Sequence, residues 1–215
     1  YSFYKVYHAL NQFFTVDLSA VYLDILKDRL YTWKTDGLAR KSSQTVIYYL
    51  TDYLIRMMAP VLSFLAEETY SHFKKPNKQE SVMLEDFPVA KEEWNRPEIL
   101  NDFEAVLNVR KDVQKSLEEM RTNKVIGSSL EAKVNINADG ETYNLLSRFD
   151  VPKGQGSVLR ELLIVSEVHL SLGSYKVETL KADGKKCVRC WIYSEELGKS
   201  ANHPDLCPKC VEALS

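Results

Sequence analysis

Apolar positions recur at three- and four-residue steps through most of the first 125 residues, a spacing that gathers them on one side of a helix turning 3.6 residues at a time. Phe3, Tyr7, Leu10 and Phe14 set a first helix over residues 1–16, and Asp17-Leu18-Ser19 supplies a turn with two candidate N-caps. A second helix is predicted over about 19–33, with Tyr22, Ile25, Leu26, the stem of Arg29, Leu30 and Trp33 on one face and Asp24, Lys27 and Asp28 on the other, ended by Asp36-Gly37. Arg40 and Lys41 then lead into Ser42 or Ser43, the cap of a third helix. It carries Val46, Ile47, Leu50, Leu54, Met57 and Met58 as far as Pro60, which lacks an N–H and kinks or restarts the chain. A fourth helix covers about 61–73. Residues 74–93, with Pro76, Pro88 and little periodicity, read as an extended connection. The fifth helix has Pro97 in its first turn and a seam of Ile99, Phe103, Val106, Val113, Leu117 and Met120. Arg110 interrupts the seam and is expected at the edge, its head in water. Long amphipathic helices on short connections predict a mainly α protein, with an antiparallel helical bundle over 1–125.

After Asn123 the period changes. Residues 130–137 alternate as a strand does, Ala138-Asp139-Gly140 is a turn, 141–148 a short helix and 151–156 a loop. Residues 159–170 are apolar enough for a buried helix-to-strand passage, and Val177, Thr179 and Leu180 mark a further strand. The expectation is a small α/β junction domain over 126–183, followed by a separate module over 184–215.

That last module holds every cysteine of the chain, as Cys187-Val188-Arg189-Cys190 and Cys207-Pro208-Lys209-Cys210. Each C-x-x-C turn aims two thiolates at one point, and two such turns complete the closed tetrahedron of a structural Zn²⁺ site. A pair of disulfides does not suit a chain with no secretory signal and no cysteine elsewhere, and a redox pair needs one such turn at a strand-to-helix junction. His203, between the pincers, is an alternative fourth ligand. Trp191 follows the first pincer, and Lys185, Lys186, Arg189, Lys199 and Lys209 surround it in sequence. An exposed tryptophan ringed by cations suits a single-stranded RNA loop, although the same ring could cover the metal or form the module's core. Four thiolates on Zn²⁺ carry a formal charge of −2 that offsets part of this positive charge.

Composition excludes more than it assigns. The 215 residues, 45% of them apolar, suffice for one or two domains with real cores. No apolar run approaches a membrane span and no leader is visible, so a cytoplasmic monomer with no membrane partner is expected. A net charge of −2 restricts any nucleic-acid contact to local basic patches. The chain opens inside an amphipathic pattern without an initiator methionine or cap, as expected of a piece of a larger parent. Gly154-Gln155-Gly156 is too short for a phosphate loop, and Ser128 and Ser129 lack a companion histidine motif. Glu67-Glu68 and Glu118-Glu119 read as solvated helix faces; His8, His72 and His169 are scattered singles. No catalytic residue is assigned.

Four segments carry a resemblance to a known family. They are residues 17–31 (Asp-Leu-Ser-Ala-Val-Tyr-Leu-Asp-Ile-Leu-Lys-Asp-Arg-Leu-Tyr), 59–68 (Ala-Pro-Val-Leu-Ser-Phe-Leu-Ala-Glu-Glu), 124–132 (Lys-Val-Ile-Gly-Ser-Ser-Leu-Glu-Ala) and the terminal Cys-x-x-Cys-Trp finger. Together they resemble the C-terminal part of bacterial-type isoleucyl-tRNA synthetases, over essentially the whole chain. The first two motifs are shared with the valine and leucine enzymes of class I; the finger after the 124–132 stretch is specific to isoleucine. The resemblance implies an anticodon-binding bundle, a junction domain and a tRNA-holding zinc finger. Its implied partners are the anticodon stem-loop of tRNA(Ile) and the rest of a synthetase that joins isoleucine to tRNA with ATP through an aminoacyl-adenylate.

The ATP-site signatures His-Ile-Gly-His and Lys-Met-Ser-Lys-Ser are absent from these residues, as is the editing insertion, so ATP would belong to the missing catalytic domain. The site residues expected are Cys187, Cys190, Cys207 and Cys210 for one structural zinc, and Arg40, Lys41, Gln44, Arg189, Trp191 and Lys199 for RNA. Polar residues at a helix start can reach a phosphate and a base edge together. Lys27-Asp28-Arg29 matches a family motif and is read as a packing network. Other classes left open are a DNA-repair glycosylase of the formamidopyrimidine type, lacking here its proline-glutamate start, and a zinc-stabilised protein-interaction module.

Overall fold

A computed structural model describes residues 2–151 and 157–214, and shows a mainly helical chain with two small sheets. The Gly154-Gln155-Gly156 turn and most of the 151–156 loop lie outside the described residues. Contacts divide the chain into two compact units, one of residues 1–30 and 35–95, the other of 31–34 and 96–215.

In the first unit, α1 (Phe3–Gln12), a π-helical stretch (Phe13–Leu23) and α2 (Asp24–Thr32) run on without a break. The turn expected at Asp17-Leu18-Ser19 is therefore absent, and the two helices expected there are one. Asp17 and Ser19 are both exposed, so their polar groups are hydrated without interrupting the helix. Phe13, Phe14 and Leu18 of the widened stretch pack against the core from the other side. α3 (Leu38–Met58) starts earlier than expected, from an extended Gly37 (φ −61°, ψ 137°). Neither Ser42 nor Ser43 caps it: Ser43 is buried, and its hydroxyl donates to the Ala39 carbonyl at 2.9 Å. Arg40 and Lys41 consequently sit within the first turn of α3. The helix stops before Pro60, and α4 (Ser63–His72) follows.

Leu10, Leu54, Ile55, Met58, Ala59, Ala66, Tyr70 and Val82 form the core of this unit. Each large aliphatic side chain buried there contributes about 1.5–3 kcal/mol. A buried ionic network pins the long connection after α4. Lys75 bridges Asp52 (3.1 Å) and Glu85 (2.9 Å), Arg56 pairs with Asp52, and the Tyr70 hydroxyl donates to Glu85. Glu67 accepts from the Ser81 hydroxyl (2.7 Å) and the Val82 amide (3.0 Å). Burial alone would raise the Glu85 carboxyl, but hydrogen bonds from Tyr70, Lys75 and the Gln79 amide outweigh it and hold the group below its ordinary value.

The second unit is built on α5 (Pro97–Thr122), with Pro97 at the first-turn position as expected. β1 (Ala132–Ala138) is the centre of a three-stranded sheet, parallel to β2 (Glu167–Leu172) and antiparallel to β3 (Lys176–Lys181). Ala132, Val134, Ile136 and Ala138 alternate onto its buried face with no exposed surface, which fixes the register. α6 (Gly140–Phe149), capped by Asp139 accepting from the Thr142 amide at 2.9 Å, and α7 (Val158–Leu163) make the crossover that the parallel β1–β2 pair requires. Tyr175 donates to Asp112 of α5 at 2.5 Å, and Thr179 bonds Ser116.

Arg110 corrects the sequence reading. Instead of reaching water it is 4% exposed, its guanidinium donating to the Leu162 carbonyl at 3.1 Å. α5 packs on β3, α6 and α7, so the side of the helix that looked like an edge faces the end of α7. No helix among the described residues is long and apolar enough to cross a membrane.

Candidate metal centre and nucleic-acid interface

The terminal module has almost no secondary structure of its own. β4 (Lys185–Lys186) pairs with β5 (Tyr193–Ser194), and the tight turn between them presents Cys187 and Cys190. The Cys187 amide donates to the Ile192 carbonyl at 2.9 Å and the Trp191 amide to the Cys187 carbonyl at 3.0 Å. α8 (Pro208–Glu212) presents Cys210, with Cys207 at its start and the Cys210 amide bonded to the Cys207 carbonyl at 3.0 Å. Gly184 is indispensable to the entry: its φ is +83°, and a Cβ there would lie 2.3 Å from the Ser194 backbone.

All four cysteines are free and buried, and their sulfurs lie within 4.8 Å of one another. Cys190 and Cys207 are 3.6 Å apart, against about 2.05 Å for a disulfide and about 3.8 Å for two sulfurs on a tetrahedral zinc with 2.3 Å bonds. The donor set fits one structural Zn²⁺. Hydrogen bonds from the Cys190 and Cys210 thiols pull Cys207 down to about 2, while proton sharing with Cys207 and burial push Cys190 up. Metal binding requires the thiolate form, so it would displace the protons that the thiols carry. His203 is exposed and outside the donor group. With Ile192 buried at 1% and Leu130, Leu197 and Leu206 packed round the sulfurs, the cage is also the module's core.

Trp191 belongs to neither cage nor core. It is 60% exposed, in a left-handed conformation (φ +66°) rare for a bulky residue, with the Lys186 ammonium 5.4 Å above its ring. Arg189 is turned inward and donates to the Cys210 carbonyl at 3.2 Å, so it braces the two pincers together. Lys199 pairs with Glu196 on the surface, and the Lys209 ammonium donates to the buried Thr32 hydroxyl at 3.3 Å.

In the other unit, Lys41 and Gln44 are exposed at the start of α3 and Arg40 is half-buried. Lys27 bridges Asp24 one turn back at 2.7 Å, and Arg29 partly offsets the rise that burial imposes on the Tyr22 hydroxyl, both contacts within one helical run. An apolar cavity of about 180 Å³ between Phe14, Leu18, Leu50 and Met58 offers almost no polar group to a ligand.

Two features of that unit escaped the sequence reading. One is the Asp52–Lys75–Glu85 network, whose members lie up to 33 residues apart with no shared period. The other is a row of aromatic rings in which Trp94 packs on Tyr49 (5.4 Å between centroids) and Tyr53 (5.8 Å), and Tyr48 on Phe73 (5.1 Å). Tyr49 and Tyr53 stand four residues apart on α3, a signal for a shared face, but nothing in the sequence placed Trp94 against them.

Comparison with known proteins bears on both parts. Residues 184–213 match the zinc finger found in FPG and IleRS. The whole chain is similar to isoleucine-tRNA ligases of Caldanaerobacter subterraneus (40% identical), Carboxydothermus hydrogenoformans (41%) and Persephonella marina (41%). It spans about a quarter of the length of these relatives (24%, 24% and 23%). Residues 1–136, well over half of the sequence, match the anticodon-binding domain of tRNA ligase, and the chain belongs to that family.

Proposed function

We propose that this chain is the tRNA-binding portion of an isoleucine-tRNA ligase. In this reading residues 1–125 serve as an antiparallel anticodon-binding bundle, 126–183 as a junction and 184–215 as a zinc finger that helps hold the anticodon arm. The observation that carries it is the outward Trp191. A ring held in a strained backbone conformation, left largely in water beside a lysine and needed by neither the metal nor the core, is placed for stacking on an unpaired base. Lys41 and Gln44 offer a phosphate partner and a base-edge partner from the first two turns of α3, with Arg40 beside them. Arg189 contributes by bracing the finger, and Lys199 by charge that Glu196 partly neutralises.

Activation of isoleucine and its transfer to tRNA would fall to the remainder of the polypeptide, in the cytoplasm, with the protein acting as a monomer. Zinc would supply rigidity, its four positions filled by Cys187, Cys190, Cys207 and Cys210. Filter binding of zinc-loaded chain to tRNA(Ile) transcript, a non-cognate tRNA and duplex DNA at two salt concentrations tests the reading. tRNA(Ile) is expected to bind most tightly and to weaken as salt rises. Preference for duplex DNA would instead favour the glycosylase class, and no nucleic-acid binding would favour an interaction module.

A further inference from the structure

We infer that the aromatic row on α3 and the following connection is a second stacking site, for an unpaired base of single-stranded RNA and its neighbouring phosphate. The inference rests on the tRNA-binding reading but not on the finger.

Trp94 is 48% exposed, Tyr49 39% and Tyr48 36%, although the same unit buries the ring of Tyr70 on α4 almost completely. The Lys91 ammonium lies 4.7 Å from the Trp94 centroid and 5.3 Å from that of Tyr49, and the Arg56 guanidinium is 5.1 Å from Tyr53. The two cations differ. Arg56 is committed to Asp52 and to the Asp86 carbonyl at 3.0 Å, whereas Lys91 makes no ion pair among the described residues. Glu92 and Glu93 share the turn with Trp94, so the patch is not a general attractor of anions; selectivity must come from the rings. A cation resting on a π face gives up only a weak contact when a phosphate draws it away, and that movement uncovers the ring for a base. Lys91 is therefore a movable cap.

The position supports the same ligand. Lys41, Gln44 and Tyr48 follow one another on α3 at three- and four-residue steps, so they share a face. Lys41 and Tyr48 are separated by about 10 Å along the axis. One strand of RNA following that face would meet phosphate, base-edge and stacking partners in turn.

The test uses the zinc-loaded chain carrying Trp33→Phe and Trp191→Phe, so that Trp94 is the sole indole. It is titrated with tRNA(Ile) transcript, single-stranded oligoadenylate and a fully paired RNA duplex. Both unpaired RNAs are expected to quench Trp94 emission, and the duplex to leave it unchanged. In the otherwise native chain, Trp94→Leu and Tyr49→Leu should weaken tRNA binding roughly 5- to 100-fold, Trp94→Phe should retain most of it, and Lys91→Met should weaken it less than ring removal does. RNA binding that leaves Trp94 emission unaltered, or equal quenching by duplex, overturns the site while sparing the tRNA-binding reading. Failure of the native chain to bind any RNA overturns both. Should Trp94→Leu not fold, the emission titration and Trp94→Phe decide.

Discussion

The first unit and the terminal finger meet the same requirement, excluding water from a centre, by opposite chemistry. Around Ile55 and Tyr70 the centre is aliphatic and aromatic, and Asp52, Lys75 and Glu85 pair with one another at its margin. Around Cys187 and Cys207 the centre is four sulfurs, with Ile192 the one apolar side chain buried among them. About thirty residues cannot bury enough apolar surface to fold unaided, so the finger's free energy has to come from a metal. Loss of one ligand should therefore abolish the finger, whereas loss of one core contact should only weaken the first unit.

Replacing Cys207 by Ser is the strongest way to break the comparison. Removing a structural zinc site forfeits on the order of 10 kcal/mol of metal binding, enough to unfold residues 184–213. Amide exchange should become fast there and stay slow in α3 and α4; retained protection in the finger would show that Ile192 and its neighbours suffice. Next comes Lys75→Met, which leaves Glu85 buried without a cation and Asp52 with Arg56 alone, and should cost about 3–5 kcal/mol by denaturant titration while leaving zinc content unchanged.

pH separates the two regions further. Glu85 is held low, so its contribution is complete above the ordinary carboxylate value of 4.5 and is lost as pH falls through its lower folded value. Lys75 is raised: burial opposes its charge, but hydrogen bonds to Glu85 and Asp52 more than compensate. Its contribution is complete below 10.5 and is lost as pH rises through the higher folded value. The finger should fail only on the acid side, where protons compete with zinc for the thiolates. Helical circular dichroism and zinc release, followed together across pH, check both directions. The smallest expected effect is Ser81→Ala, about 1 kcal/mol, because its hydroxyl caps the Met83 amide at 3.2 Å and donates to Glu67.

Legibility followed the range of the interactions. α5 with its first-turn proline, the alternation of β1 and the pincers rest on neighbours within a few residues, and periodicity exposes such features. The start of α3 was placed late because Ser42 and Ser43 look like caps; the hydroxyl of Ser43 is satisfied by the Ala39 carbonyl, a use sequence does not distinguish. Asp17 and Ser19 misled in the same way, since a helix tolerates polar residues on an exposed side.

The sequence by itself determined the metal, because two C-x-x-C turns leave four thiolates little else to do, and it determined the helical character and family resemblance of the chain. Tertiary structure alone decided that Arg110 lies buried against Leu162, that Trp191 stands out in water rather than over the zinc, and that Trp94 meets α3. Those outcomes depend on which surfaces become neighbours after folding, and burial is a property of the assembled packing that no single segment encodes.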